Sequence, residues 1–191
     1  NGGARSQRQD SSHSGPSRVA AFFDMDKTLI AENSGSIYMK HRFEQGEIDS
    51  WQLARGLLAY LRYKLGGLDI QARTQAMMLE FEGRLEADLE AEGRNLYEEA
   101  ISCQVYPEAR GCIRAHQEQG HLVCIVSGTT KFLIEPLAED LRVEHVVHTQ
   151  LEAREGVLTG RVLEPVCFGE GKIQLLRQFI EHERIDLARS W

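Results

Sequence analysis

Two short runs of apolar residues constrain the fold of this chain more than any other feature. Val19 to Phe23 and Leu122 to Val126 each hold five apolar residues without a polar interruption. A strand with one solvent-exposed face alternates apolar and polar residues, whereas a strand buried on both faces does not. Helical patterns follow both runs, so the sequence predicts an α/β fold with a doubly wound parallel sheet.

About 100 residues separate the two runs, and their pattern predicts an all-helical insertion. Apolar residues recur there at spacings of three and four, as on the buried face of a helix: Leu53, Leu57, Leu61, Leu65, Met78, Phe81, Leu85 and Leu89. We predict that residues 33–104 form a helical cap, inserted between core segments 18–32 and 105–191. Residues 1–17, rich in Ser, Gly, Gln and Arg, are predicted to be a disordered tail.

The rest of the chain continues the alternation of strands and helices. Helices are predicted over residues 107–119, 131–141 and 170–182, and a strand over residues 146–149. A hairpin is predicted over residues 151–160, turning near Glu155-Gly156.

Composition limits the partners and the compartment. The formal net charge of −7 argues against broad nucleic-acid binding, although a few local cations can still bind a small phosphorylated substrate. No apolar stretch approaches the roughly 18 residues of a membrane helix, and no signal peptide is visible. The four cysteines lack CxxC spacing, which favours free thiols and a cytoplasmic location.

Asp24 and Asp26 follow the first apolar run, where ligands bind in open parallel sheets. Their side chains leave the same side of the chain, so their charges repel unless a cation or a shared proton relieves them. Mg²⁺ is the natural cation for such oxygens, and we predict Asp24 and Asp26 as its ligands. One carboxylate can attack phosphorus while the other transfers protons. The alternative is a helix cap beside a surface acid.

Polar residues in two further places are candidates for binding a phosphate. Ser127, Gly128 and Thr129 follow the second apolar run, where a hydroxyl and backbone N–H groups can bind an anion. The alternative is that Ser127 or Thr129 caps the next helix. Lys172 begins a predicted helix against the helix dipole, which suggests a role in neutralising a phosphate. The alternative is a solvated lysine.

Together these residues resemble the haloacid dehalogenase superfamily, in its phosphoserine-phosphatase-like branch (subfamily IB). The segment Asp24 to Thr28 resembles the first motif, DxDxT, and the segment Ile125 to Thr129 resembles the second. Lys172 resembles the lysine of the third motif, and the resemblance spans residues 19–191. It implies a Rossmann-like core with a C1-type helical cap that excludes water during attack.

The resemblance also implies a role for each site residue. Asp24 would form an aspartyl-phosphate, and Asp26 would be the general acid and base and would lend its backbone carbonyl to Mg²⁺. Ser127 and Lys172 would hold the phosphoryl group, and Thr28 would support the loop. The implied function is Mg²⁺-dependent hydrolysis of a small phosphomonoester, with a phosphoserine-like metabolite as one candidate. The alternatives are phosphotransfer to another acceptor and a non-catalytic module that binds phosphometabolites.

The sequence departs from the phosphoserine phosphatases in two ways. Those enzymes carry a glutamate nine residues after the nucleophile, where this chain has Asn33 beside Glu32. The fourth motif, Gly-Asp-x-x-x-Asp, supplies further metal carboxylates and a strand next to strand one, and it is absent up to Trp191. We therefore expect the chain to be a fragment, truncated at its C-terminus before the fourth motif.

Overall fold

A computed structural model describes residues 17–51, 54, 58 and 70–191. The strands are β1 (Ala20–Asp24), β2 (Leu122–Thr130), β3 (His145–Thr149), β4 (Leu151–Arg154) and β5 (Val157–Val162). The α-helices are α1 (Ser34–Glu44), α2 (Ile70–Met78), α3 (Glu86–Leu96), α4 (Pro107–Glu118), α5 (Lys131–Asp140) and α6 (Glu170–Glu183). Short 3₁₀ or π turns cover Leu79–Phe81, Tyr97–Ile101, Ser102–Gln104 and Leu187–Arg189.

The central sheet is parallel, in the order β1-β2-β3. Alternate residues of β1 enter two different apolar clusters: Phe23 packs with Ile113 and Leu137 on the α4–α5 side, and Phe22 packs with Phe179 on the α6 side. Helices thus cover both faces of the sheet, which explains why β1 and β2 lack polar alternation. The predicted α/β class and doubly wound parallel sheet are confirmed.

The predicted elements after the insertion are also confirmed, with end points shifted by one or two residues. The hairpin β4–β5 turns at Glu155 and Gly156, whose φ angles are 52° and 76°. Two consecutive positive φ values are typical of the turns that suit the twist of a hairpin. Pro107 opens α4 at a position where its missing N–H has no partner to lose.

The described part of the predicted insertion is largely helical. Helix α3 packs against α5 of the sheet core, with Gly93 at the contact. The leucine series from Leu53 to Leu65 lies outside the described residues, as do residues 1–16 of the predicted tail. The domain boundaries therefore stay a prediction. Within the described residues, no helix has the length and apolar character needed to cross a membrane.

The second edge of β1 contacts the end of the chain. The Phe22 N–H donates to the Trp191 carbonyl at 2.9 Å, and the Trp191 N–H donates to the Ala20 carbonyl at 3.0 Å. This alternation is the pattern of a parallel ladder. Trp191 thus pairs with β1 on the side opposite β2, where the strand of the fourth motif is expected.

Candidate active site at the carboxyl edge of the sheet

A tight turn places both aspartates at the carboxyl end of β1. Asp24 is the last residue of that strand, and the carbonyl of Met25 accepts N–H groups from Thr28, Leu29 and Ile30. Met25 is fully buried and anchors the turn in the core. The Asp24 side chain keeps 44% of its surface exposed, so a ligand can reach it from solvent.

Lys172 reaches across from the first turn of α6 to Asp24. Its Nζ lies 2.6 Å from Asp24 Oδ1, although 148 residues separate the two along the chain. The simple alternative of a solvated lysine is therefore wrong, because the ammonium group has a specific carboxylate partner. The pair places a positive charge at the oxygen that is predicted to attack phosphorus.

Asp26 is held by the start of α1. Its Oδ1 accepts the Ser34 N–H at 2.8 Å, and its Oδ2 accepts Asn33 Nδ2 at 2.8 Å. Asn33 Oδ1 in turn accepts the Ser36 N–H and caps α1, which fixes which end of the amide faces Asp26. Asp26 is thus more than the surface acid of the alternative interpretation, since both of its carboxyl oxygens have protein partners.

The environment of Asp26 favours its protonated form. Burial raises the pKa of this carboxyl above its usual value, and the nearby charge of Asp24 acts in the same direction. The hydrogen bonds from Ser34 and the charge of Lys172 oppose the shift without cancelling it. A carboxyl with a raised pKa retains its proton to higher pH and is suited to act as a general acid.

The second predicted segment lies beside Asp24. Asp24 pairs with Val126 in the parallel register, so Ser127 is the next residue of the neighbouring strand. Ser127 is buried, and its Oγ accepts the Thr129 N–H at 3.3 Å. Helix α5 begins later, with Thr130 at the N-cap and no side-chain cap bond. The alternative that Ser127 or Thr129 caps this helix is therefore wrong.

Two other predicted residues are exposed at the same edge. Thr28 lies in the turn after β1, and its N–H donates to the Met25 carbonyl. Gly128 is exposed, and a Cβ built on it would lie 3.2 Å from the Cys167 carbonyl oxygen. The loop before α6 and the carboxyl-terminal part of β2 therefore approach each other closely at Gly128. The roles of these residues in binding a phosphate stay predictions.

Of the two aspartates that are predicted to bind Mg²⁺, only one has a side-chain carboxylate available to a cation. Asp24 offers a half-exposed carboxylate, whereas both oxygens of Asp26 already accept hydrogen bonds. Asp26 would then contribute through its backbone carbonyl. Among the described residues, no group of three or more His, Cys, Asp or Glu side chains is arranged to hold a metal ion. A cation at Asp24 thus requires oxygens from substrate, solvent or further carboxylates to complete its shell.

Sequence reasoning missed the hydrogen-bonding roles of three residues around this edge. In the sequence, Asn33 stands out only because the phosphoserine phosphatases have a glutamate at this position. Its place before a helix is nevertheless typical of an N-cap. The part played by Ser34 depends on how the chain turns between Asp26 and α1, and that of Thr149 depends on contacts between separate segments. No local pattern in the sequence indicates such contacts.

The fold and the site define a class: α/β proteins with a carboxylate–lysine pair at the carboxyl edge of a parallel sheet. A sequence model of the haloacid dehalogenase-like hydrolases matches residues 21–191. The chain belongs to this family. The resemblance predicted from the three motifs is thereby confirmed.

Individual relatives agree with this assignment. A probable phosphatase of Mycobacterium tuberculosis (strain ATCC 25618 / H37Rv) is 30% identical over 178 residues, covering 91% of this chain and 61% of the relative. Phosphoserine phosphatase SerB1 of the same strain is 27% identical over 176 residues, covering 90% of this chain and 57% of the relative. The chain thus spans about three fifths of the length of these curated relatives.

A solved structure shares the fold over most of both chains. It is a protein with unknown function from Bordetella pertussis Tohama I, with a TM-score of 0.80 and 25% sequence identity. The match covers 92% of this chain and 79% of that chain. The arrangement of helices around the sheet is therefore common to both proteins.

Proposed function

We propose that this protein is a Mg²⁺-dependent phosphatase that hydrolyses a small phosphomonoester through an aspartyl-phosphate on Asp24. The observation that carries the proposal is the 2.6 Å contact between Lys172 and Asp24, with Asp26 held close by in an environment that raises its pKa. A nucleophilic carboxylate and a carboxyl with a raised pKa, two residues apart, are the two groups that ester cleavage needs. Membership of a hydrolase family supports the same reaction.

The proposed reaction has two steps, formation and hydrolysis of the aspartyl-phosphate. In the first, an Asp24 oxygen bonds to phosphorus, the bond to the leaving oxygen breaks, and Asp26 donates its proton to that oxygen. In the second, a water oxygen bonds to phosphorus, Asp26 takes the proton, and the bond to Asp24 breaks. Lys172 and Ser127 bind the phosphoryl oxygens throughout. A divalent cation, when bound, supplies further positive charge to the phosphoryl group.

The direct test is hydrolysis of p-nitrophenyl phosphate by the full-length protein. We expect phosphate release that requires added Mg²⁺, stops with EDTA, and passes through a phosphoenzyme cleaved by hydroxylamine. p-Nitrophenyl acetate, a carboxylic ester, is the control and should not be cleaved. Binding of phosphate esters without Mg²⁺-dependent hydrolysis would instead identify a binding module. Release of p-nitrophenol in excess of phosphate, in the presence of an acceptor alcohol, would identify a phosphotransferase.

Asp26→Asn is expected to slow hydrolysis of alkyl phosphates about 10²–10⁴-fold. The effect on p-nitrophenyl phosphate should be much smaller in the first step, because p-nitrophenolate leaves without a proton. In the wild type, the rate with alkyl esters should fall as pH rises through the raised pKa of Asp26, and the variant should lack this decline. Single-turnover rates for both esters across pH provide the measurement. Equal losses for the two leaving groups would rule out Asp26 as the acid of the first step.

The substrate class follows in part from Asn33. Phosphoserine phosphatases carry a glutamate at this position, and a carboxylate there can attract the substrate's ammonium group. Here Asn33 is committed to Asp26 and to the cap of α1. We therefore propose a small phosphorylated metabolite whose recognition does not depend on an ammonium group at this position. Comparison of kcat/KM for phosphoserine and for 3-phosphooxypropanoate, which has the same carbon chain without the amine, tests this: a large preference for phosphoserine would contradict it.

A further inference from the structure

Thr149 connects two segments of the predicted phosphate site: the carboxyl-terminal part of β2, with Ser127 to Thr129, and the loop that leads to Lys172. It is the last residue of β3 and is only 1% exposed. Its Oγ1 donates to the Gly128 carbonyl at 2.8 Å and accepts the Cys167 N–H at 3.3 Å. The single hydroxyl thus uses its donor and an acceptor position to join the carboxyl-terminal part of β2 to the loop before α6.

The bond to Gly128 fixes the orientation of one peptide group. The Gly128 carbonyl and the Thr129 N–H belong to the same peptide, and in a trans peptide they point in opposite directions. With the oxygen held by Thr149, the N–H turns to the other side, where it lies 3.3 Å from Ser127 Oγ. Thr149 therefore sets the direction of an amide beside the buried serine hydroxyl.

The bond to Cys167 restrains the loop that leads to Lys172. That loop folds on itself: the Phe168 N–H donates to the Val166 carbonyl, and the Gly171 and Lys172 N–H groups donate to the Phe168 carbonyl. Cys167 is fully buried and lies in the cluster beneath α6. Anchoring its N–H fixes the base of the loop from which Lys172 reaches Asp24.

We propose that Thr149 is a positioning residue that holds the Ser127–Thr129 segment of β2 and the loop before Lys172 at a fixed spacing. This spacing lets Ser127 and Lys172 contact the same phosphoryl group from neighbouring sides. The proposal rests on the proposed function, because it concerns the relative position of Ser127 and Lys172 in that phosphate site. Thr149 itself does not touch the reacting atoms.

Thr149→Val and Thr149→Ser form a matched pair for the test. Valine has nearly the same shape without the hydroxyl, and serine keeps the hydroxyl. We expect Thr149→Val to raise the inhibition constant of inorganic phosphate about tenfold and to lower kcat/KM for p-nitrophenyl phosphate by about 10–100-fold. Thr149→Ser should stay within about threefold of the wild type in both quantities.

A control variant separates positioning from stability. The Thr159 hydroxyl donates to Glu152 within the β4–β5 hairpin. Thr159→Val therefore also removes a threonine hydrogen bond, but outside the two segments that Thr149 joins. It should change the Tm and leave phosphate binding unaltered. If Thr149→Val lowers the Tm but keeps the phosphate inhibition constant within twofold of the wild type, Thr149 has a structural role only and the proposal is wrong.

A second variant covers the case in which Thr149→Val does not fold. Gly128→Ala presses apart the two segments that Thr149 joins, because its Cβ would lie 3.2 Å from the Cys167 carbonyl oxygen. We expect weaker phosphate binding by calorimetry, and wild-type binding would overturn the proposal. Calorimetry also separates the two hypotheses. A wild type that binds phosphate without turnover contradicts the phosphatase and still tests Thr149, whereas one that neither binds nor hydrolyses contradicts both.

Discussion

Asp24→Asn should lower kcat for phosphomonoester hydrolysis by about a thousandfold or more, because an amide replaces the carboxylate that bonds to phosphorus. A factor of that size corresponds to about 4 kcal/mol of transition-state stabilisation. The amide is a poor nucleophile, and it also loses the charge that pairs with Lys172 at 2.6 Å. Phosphate binding should survive, because Ser127 and Lys172 remain. The measurement is kcat together with phosphoenzyme trapping by hydroxylamine.

The matched control for this variant is Asp88→Asn. Asp88 is an exposed carboxylate in the first turn of α3 and has no part in the proposed mechanism. Its amide should retain wild-type kcat and phosphoenzyme yield. If Asp24→Asn hydrolyses esters at the wild-type rate, Asp24 is not the nucleophile, whatever the geometry around it.

The sequence predicts the sheet and its chemistry well because both depend on local patterns. Unbroken apolar runs specify strands buried on both faces, and the residues at their carboxyl ends must lie at one edge of a parallel sheet. That argument brings Asp24 and Ser127 together without knowledge of the helices between them. Lys172 is less determined by its surroundings in the sequence: its position at a helix start and its resemblance to the third motif predicted a role at the phosphate, and its contact with Asp24 comes from the structure.

The hydrogen-bond network behind these residues follows from no local pattern. Thr149 ends a strand as many threonines do. Its two hydrogen bonds depend on how the end of β2 and the loop before α6 meet. Asn33 has a recognisable signal as a helix cap, but its bond to Asp26 depends on the direction in which α1 leaves the turn. Such contacts emerge from tertiary packing, which periodicity and composition do not encode.

The packing of α3 on α5 is another tertiary contact that no local pattern predicts, and it has a large expected effect on the free energy of unfolding. Gly93 faces the first turn of α5, and a Cβ built on it would lie 2.0 Å from the Phe132 carbonyl oxygen and 2.9 Å from the Phe132 carbonyl carbon. These atoms are backbone, so no side chain can rotate away. The two helices can approach this closely only because residue 93 has no side chain.

Gly93→Ala is therefore expected to destabilise the protein by about 2–4 kcal/mol, in the upper part of the range for overpacked sites. Helix propensity acts in the opposite direction by about 1 kcal/mol, since alanine is the better helix former. The clash should dominate, because α3 must move away from α5 and loosen the cluster of Phe81, Leu89, Phe132 and Leu158. Urea denaturation provides the free energy of unfolding.

Gly111→Ala is the matched control, because Gly111 also lies inside a helix, α4, and a Cβ there would have no neighbour within 4 Å. Propensity alone then applies, and we expect stabilisation by about 0.5–1 kcal/mol. Opposite signs for two glycine-to-alanine changes would separate the steric contact from helix propensity. If both variants gain stability, α3 does not pack on α5 as closely as described. Ion pairs would then be the main connection between the two helices: Lys131 pairs with Glu86 at 2.7 Å and Glu90 at 3.0 Å, and Arg94 pairs with Glu139 at 2.6 Å.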